Sequence, residues 1–127
     1  MTKNTLFIIL DRDGVINFES KDYIKTPEEW LPIAGRLEAI ALLTQAGYTI
    51  AVATNQAGVG RGFYTEAELA LIHQKMLDSV KAQGGKLDKV FYCPHLPEDH
   101  CSCRKPGIGL FEQIADYYQL DLRGIIA

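Results

Sequence analysis

The sequence is poor in the features that mark several large functional classes. It has no basic excess: 13 lysines and arginines stand against 16 aspartates and glutamates, a formal net charge of −3. A nucleic-acid-binding face normally shows as surplus positive charge, so no nucleic-acid partner is expected. No apolar run approaches the roughly 20 residues that cross a bilayer, and no membrane partner is expected either. Met1-Thr2-Lys3-Asn4 leads straight toward a short strand without the cleavage pattern of a secretory leader. Cysteine occurs only three times, an odd number, all between Cys93 and Cys103. That distribution does not suit a disulfide framework; a reduced, cytoplasmic setting with a metal site fits it better. The glycine-rich stretch Gly58-Val59-Gly60-Arg61-Gly62 lacks the Gly-Lys-Ser/Thr of an ATP P-loop. There is no internal repeat and no low-complexity segment. What remains is 127 residues of ordinary globular composition, 47% apolar and 23% charged, enough for one domain with a core.

The stretch that organises the chain is Phe7-Ile8-Ile9-Leu10-Asp11-Arg12-Asp13-Gly14. An apolar run of strand character ends in two aspartates one residue apart. In extended backbone, residues i and i+2 face one side, so Asp11 and Asp13 are expected to look into one pocket while Arg12 points away. Such a pair suits a divalent cation, or a nucleophile with a neighbouring acid/base; a plain strand followed by an Asp-Gly turn is the bland alternative. Downstream, Thr26-Pro27-Glu28-Glu29 has capping-box spacing, with Pro32 limiting the helix to about one turn. A helix is expected over Arg36–Ala46, opened by Gly35, with Leu37, Ile40, Ala41 and Thr44 on one face and Leu42 and Leu43 widening it. Tyr48–Ala53 reads as a strand buried on both faces. Thr65-Glu66-Ala67-Glu68 starts a second long helix whose Leu69, Ile72, Met76 and Val80 share a face. Val90–Tyr92 is a short strand, Leu110, Ile114 and Tyr118 mark another helix, and Gly124–Ala127 begins a fourth strand. Alternating strands and helices predict an α/β three-layer sandwich around a central parallel sheet, with Asp11, Thr54 and Cys93 on the same edge.

Ligand-forming residues cluster after the third strand. Cys93, His95, Cys101 and Cys103 offer three thiolates and an imidazole, a closed tetrahedral shell for structural Zn²⁺. His100 is a rival ligand, and three incidental cysteines are the bland alternative. Lys105 is placed to neutralise a phosphoryl group and Arg104 to grip another part of a ligand, or the two form a solvated basic pair. Thr54 and Asn55, at a strand end, can hold an oxyanion. Arg61 could clamp a second, non-reacting phosphate, its glycines letting backbone amides approach an anion, or the loop is merely flexible. His73 reads as a partly buried or surface residue.

Taken together, Asp11-x-Asp13-Gly14, Thr54 and Lys105 resemble the haloacid dehalogenase superfamily of aspartate-nucleophile phosphatases. Three stretches narrow the resemblance to its heptose-bisphosphate phosphatase family: Asp11–Asn17, Thr54–Gly62, and Cys93-Pro94-His95 with Cys101–Pro106. The short metal loop also resembles the related histidinol-phosphate phosphatases. The resemblance implies a Rossmann-like fold without a large cap domain. It implies that Asp11 is the nucleophile and that Asp13 is the general acid/base. Mg²⁺ would sit between Asp11 and the Asp13 carbonyl, and Thr54 and Lys105 would stabilise the transferring group. Asn55, Arg61 and Arg104 would contact a small sugar bisphosphate, and the protein is expected to be a monomer. The family continues past the fourth strand into an acidic segment that completes the Mg²⁺ site. Since this chain stops at Ala127, the expectation is one C-terminally incomplete domain over 1–127 with a zinc loop at 93–103, binding Mg²⁺ weakly and turning over slowly or not at all.

Overall fold

The computed structural model describes residues 6–96 and 109–119. Three strands, β1 (Phe7–Leu10), β2 (Thr49–Asn55) and β3 (Lys89–Cys93), form a parallel sheet in the order β1-β2-β3. Leu10 pairs with Val52, and Asn55 with Cys93. Because all three run the same way, Asp11, Thr54 and Cys93 emerge on the same edge, as the sequence predicts. The expected fourth strand lies outside the described residues.

Side-chain alternation builds the layers. Ile50 and Val52 face one side of the sheet, where they join Ile40, Ile72, Met76 and Val80 from α1 (Arg36–Gln45) and α3 (Glu66–Ala82). Phe7, Ile9, Ala51, Ala53 and Phe91 face the other, against Leu110 and Ile114 of α4 (Gly109–Tyr118). The helix–sheet–helix sandwich therefore follows from strand periodicity. Leu69, Ile72, Met76 and Val80 are all buried, each stabilising the fold by about 1.5–3 kcal/mol.

Three local expectations change. Thr26 does not cap: Pro27–Glu29 is a single 3₁₀ turn without a side-chain cap, and Glu29 Oε1 instead accepts from the Lys25 amide at 2.7 Å. The second box forms as expected, with Thr65 Oγ1 accepting from the Glu68 amide and Glu68 accepting from the Thr65 amide. Leu42 is 67% exposed, because the stripe of α1 that meets the sheet is narrow and centred on Ile40 and Ala41. Finally, the glycine-rich stretch is a one-turn helix, α2 (Ala57–Gly60), not an open loop. A Cβ on Gly58 would lie 2.3 Å from the Tyr64 ring, and one on Gly60 would lie 2.7 Å from the Pro94 carbonyl. Glycine is needed at both places for close packing.

Candidate active site

The first aspartate ends a strand, and the second sits in a turn. The amides of Val15, Ile16 and Asn17 converge on the Arg12 carbonyl at 3.2, 2.8 and 3.3 Å, so the chain leaves the extended state at once. Asp13 lines a cavity of about 180 Å³ with Glu19, Ser20, Tyr23, Ile24, Asn55, Gln56 and Ala57. Asp11 Oδ1 accepts from the Arg12 amide at 2.7 Å.

Arg12 turns into the interior, not to solvent. It is fully buried, and its Nε and Nη2 both donate to Asp13 Oδ1 at 2.8 Å. Its Nη1 lies 3.1 Å from His73 Nε2. Desolvation of the buried His73 ring, reinforced by the Arg12 charge, pushes its pKa down to about 3. The ring is therefore neutral at neutral pH, and Nε2 accepts from the guanidinium. His73 is buried in the face of α3, not at the surface.

The two oxygens of Asp13 differ. Oδ1 takes both Arg12 bonds and a third from Asn17 Nδ2 at 2.9 Å. Oδ2 takes one long bond, 3.3 Å, from Gln56 Nε2. The same Gln56 nitrogen donates to Thr54 Oγ1 at 3.0 Å. A carboxylate from the β1 turn and a hydroxyl from β2 thus meet at one buried amide. Tyr64 closes the set by donating its hydroxyl proton to Gln56 Oε1 at 2.7 Å. Such an arrangement presents a carboxylate for proton transfer beside a hydroxyl that can bind an oxyanion.

The pattern of the polynucleotide kinase 3 phosphatase family matches residues 7–125. The D-glycero-beta-D-manno-heptose-1,7-bisphosphate 7-phosphatase of Pseudomonas aeruginosa is 54% identical over 118 residues, covering 93% of this chain and 66% of the relative. The corresponding Pseudomonas putida protein is 52% identical, covering 93% and 67%. The chain belongs to this heptose-bisphosphate phosphatase family. The crystal structure of the Bordetella bronchiseptica D,D-heptose 1,7-bisphosphate phosphatase, complexed with magnesium and phosphate, superposes with a TM-score of 0.91 at 49% identity, covering 94% of this chain and 66% of that one. The chain thus spans about two thirds of the length of these relatives, and the haloacid dehalogenase-like fold expected from the sequence is present.

Other family positions fall as follows. Arg61 is exposed at the end of α2, and its Nε donates to the Tyr23 hydroxyl at 3.1 Å. Tyr23 adopts a left-handed conformation, φ 65°, and lines the Asp13 cavity, so Arg61 stands at the rim. Asn55 lines the same cavity. Cys93 Sγ and His95 Nδ1 are 3.5 Å apart. A tetrahedral zinc with Zn–S of about 2.3 Å and Zn–N of about 2.0–2.1 Å would impose an S···N edge of roughly 3.6 Å, so this half of the donor set fits the ion. Cys101, Cys103, Arg104 and Lys105 lie outside the described residues.

Sequence reasoning missed Gln56, Tyr64, Asn17 and the Arg12–His73 pair as parts of the site. Each is a residue type with many ordinary uses. Their signal is spatial: Tyr64 is eight positions from Gln56, and His73 is 61 from Arg12.

Proposed function

We propose that the protein carrying this sequence is a phosphomonoester hydrolase that removes the C7 phosphate of D-glycero-β-D-manno-heptose 1,7-bisphosphate. The observation that carries the reading is the convergence of Asp13 Oδ2 and Thr54 Oγ1 on Gln56 Nε2, at the strand edge where Asp11 emerges. The family supplies the substrate class, and the name of the Pseudomonas aeruginosa relative specifies the β anomer.

In this mechanism an Asp11 carboxylate oxygen attacks the C7 phosphorus. The bond from phosphorus to the sugar oxygen breaks, and Asp13 Oδ2 delivers its proton to that oxygen. Asp13, now a carboxylate, takes a proton from water as the water attacks the aspartyl-phosphate. Inorganic phosphate leaves and Asp11 is restored. Thr54 Oγ1 and the Lys105 ammonium hold the non-bridging phosphoryl oxygens. Asn55, Arg61 and Arg104 contact the remainder of the substrate, with Arg61 at the rim suited to the phosphate that stays. The Asp11 carboxylate and the Asp13 backbone carbonyl are hard oxygen donors that fit Mg²⁺. When bound, Mg²⁺ supplies charge neutralisation at the phosphoryl group. The protein acts as a cytoplasmic monomer.

The test is phosphate release, with Mg²⁺, from both anomers of the heptose bisphosphate and from histidinol phosphate. The expected result is a kcat/KM at least about tenfold higher for the β anomer, one bound-energy increment of roughly 1.4 kcal/mol, with the C1 phosphate retained in the product by ³¹P NMR. Preference for histidinol phosphate would refute the substrate.

We also propose that Cys93, His95, Cys101 and Cys103 hold a structural Zn²⁺ in the reduced protein. Purified under reducing conditions, the protein should contain about one zinc per chain, and a chelator should lower its melting temperature. Zinc well below one per chain in the reduced protein would overturn this assignment.

A further inference from the structure

Tyr64 lies behind Gln56, which lines the cavity beside Asp13, and the hydrogen bonds of the two have a fixed direction. Tyr64 is buried, and desolvation pushes its phenol up to about 12, so its proton stays on at any working pH. The Tyr64 hydroxyl donates to Gln56 Oε1 at 2.7 Å. An oxygen thus engaged leaves only the amide nitrogen to face the other way, toward Asp13 Oδ2 and Thr54 Oγ1. The flipped amide would set an oxygen against the Asp13 carboxylate. Thr54 Oγ1 therefore accepts from Gln56, and its own proton must leave in another direction. Among the described residues that proton has a long contact, 3.4 Å, to the Asn55 carbonyl, which a phosphoryl oxygen can displace.

The supports for this orientation are themselves built in. The Gln56 amide donates to the Cys93 carbonyl at 2.7 Å, fixing the backbone of residue 56 to the end of β3. Gly58 leaves the space occupied by the Tyr64 ring: a Cβ there would lie 2.8 Å from the Tyr64 hydroxyl oxygen. The glycine of α2 and the tyrosine after it thus form one device.

We infer that Tyr64 and Gln56 are positioning residues that set the hydrogen-bond polarity of the phosphoryl site, making Thr54 a donor to the transferring group and holding Asp13 Oδ2 toward the cavity. The inference rests on the phosphatase reading above for the identity of that group. Both act through Thr54 and Asp13.

The experiment is a double-mutant cycle read by orthovanadate affinity of the Mg²⁺-loaded protein and by kcat and KM. In an otherwise unsubstituted protein, Tyr64→Phe should weaken vanadate binding and lower kcat by about tenfold, with KM changed by less than about twofold. In a Thr54→Val background the same replacement should change vanadate binding by less than about twofold. Should Tyr64→Phe fail to fold, Gln56→Met tests the same coupling, with the same expected collapse in the Thr54→Val background. Equal losses in both backgrounds, no loss in either, or no vanadate binding by the unsubstituted protein would overturn the inference. If vanadate coupling is present but the heptose bisphosphate is not hydrolysed, the substrate reading fails and the positioning role stands.

Discussion

Asp11→Asn is expected to reduce phosphate release by on the order of 10⁴-fold, because removal of a covalent nucleophile eliminates the two-step route and leaves only binding and electrostatic stabilisation. The replacement keeps the shape of the side chain and one oxygen, so its effect on folding should be small. Asp11 Oδ1 accepts from the Arg12 amide at 2.7 Å, a bond that the asparagine carbonyl oxygen can retain. The chain of bonds from Tyr64 through Gln56 to Thr54 and Asp13 does not pass through Asp11. Loss of turnover should therefore come with a melting temperature close to that of the unsubstituted protein. Rapid-quench trapping adds a second reading: acid-stable phosphate on the protein should be present before the substitution and absent after it. Turnover within about tenfold of normal in Asp11→Asn would remove Asp11 as nucleophile.

The largest stability effect should follow from Arg12→Met. Arginine is rarely fully buried without a partner, and here the guanidinium is held between Asp13 Oδ1 and His73 Nε2 at 2.8 and 3.1 Å. Methionine approximates the length of the stem but supplies no donors. Asp13 Oδ1 would keep only Asn17 Nδ2, and His73 Nε2 would lose its Arg12 contact in a buried setting. Breaking a buried charge pair from one side costs about 3–5 kcal/mol. The Asp13 side chain is 31% exposed, so water can recover part of the loss and about 2–3 kcal/mol is the expected value. For a domain of this size that is a fall of roughly 10 °C in melting temperature. Arg12→Lys should recover less than half of it, since an ammonium cannot reproduce the planar fork that bonds Asp13 twice. A melting temperature within about 2 °C for Arg12→Met, well under one kcal/mol at this size, would mean that the cluster contributes little.

The active-site strand and its neighbours were legible because their signals are local and repeated. Apolar runs of strand length precede Asp11 and Thr54, and the capping box at Thr65 opens a helix with an apolar residue at every third or fourth position. The same logic failed where a local pattern had no tertiary support. Thr26 has the capping spacing but only a 3₁₀ turn to cap. Lys75 Nζ, reaching from α3, binds the Pro27 and Trp30 carbonyls at 2.7 and 2.8 Å, so a side chain 45 residues from Trp30 holds that turn. Leu42 has the right spacing but faces away from the sheet. The glycines of α2 read equally well as an anion loop or a flexible one, because sequence does not show that Tyr64 and Pro94 pack against them.

The amino-acid sequence alone determined the layered α/β sheet, the edge on which the acidic turn emerges and the family to which the chain belongs, since each depends on periodicity or on contiguous motifs. Only the tertiary structure decided which groups hold Asp13 and Arg12. The turn that gathers three amides on the Arg12 carbonyl breaks the extended geometry, takes Asp13 into the cavity and brings Arg12 inward to His73. It also decided that Gln56 joins Asp13 to Thr54. Those contacts depend on which distant side chains share a buried volume, and a hydrogen bond between residues 43 positions apart, such as Gln56 to Asp13, leaves no periodic trace in the chain.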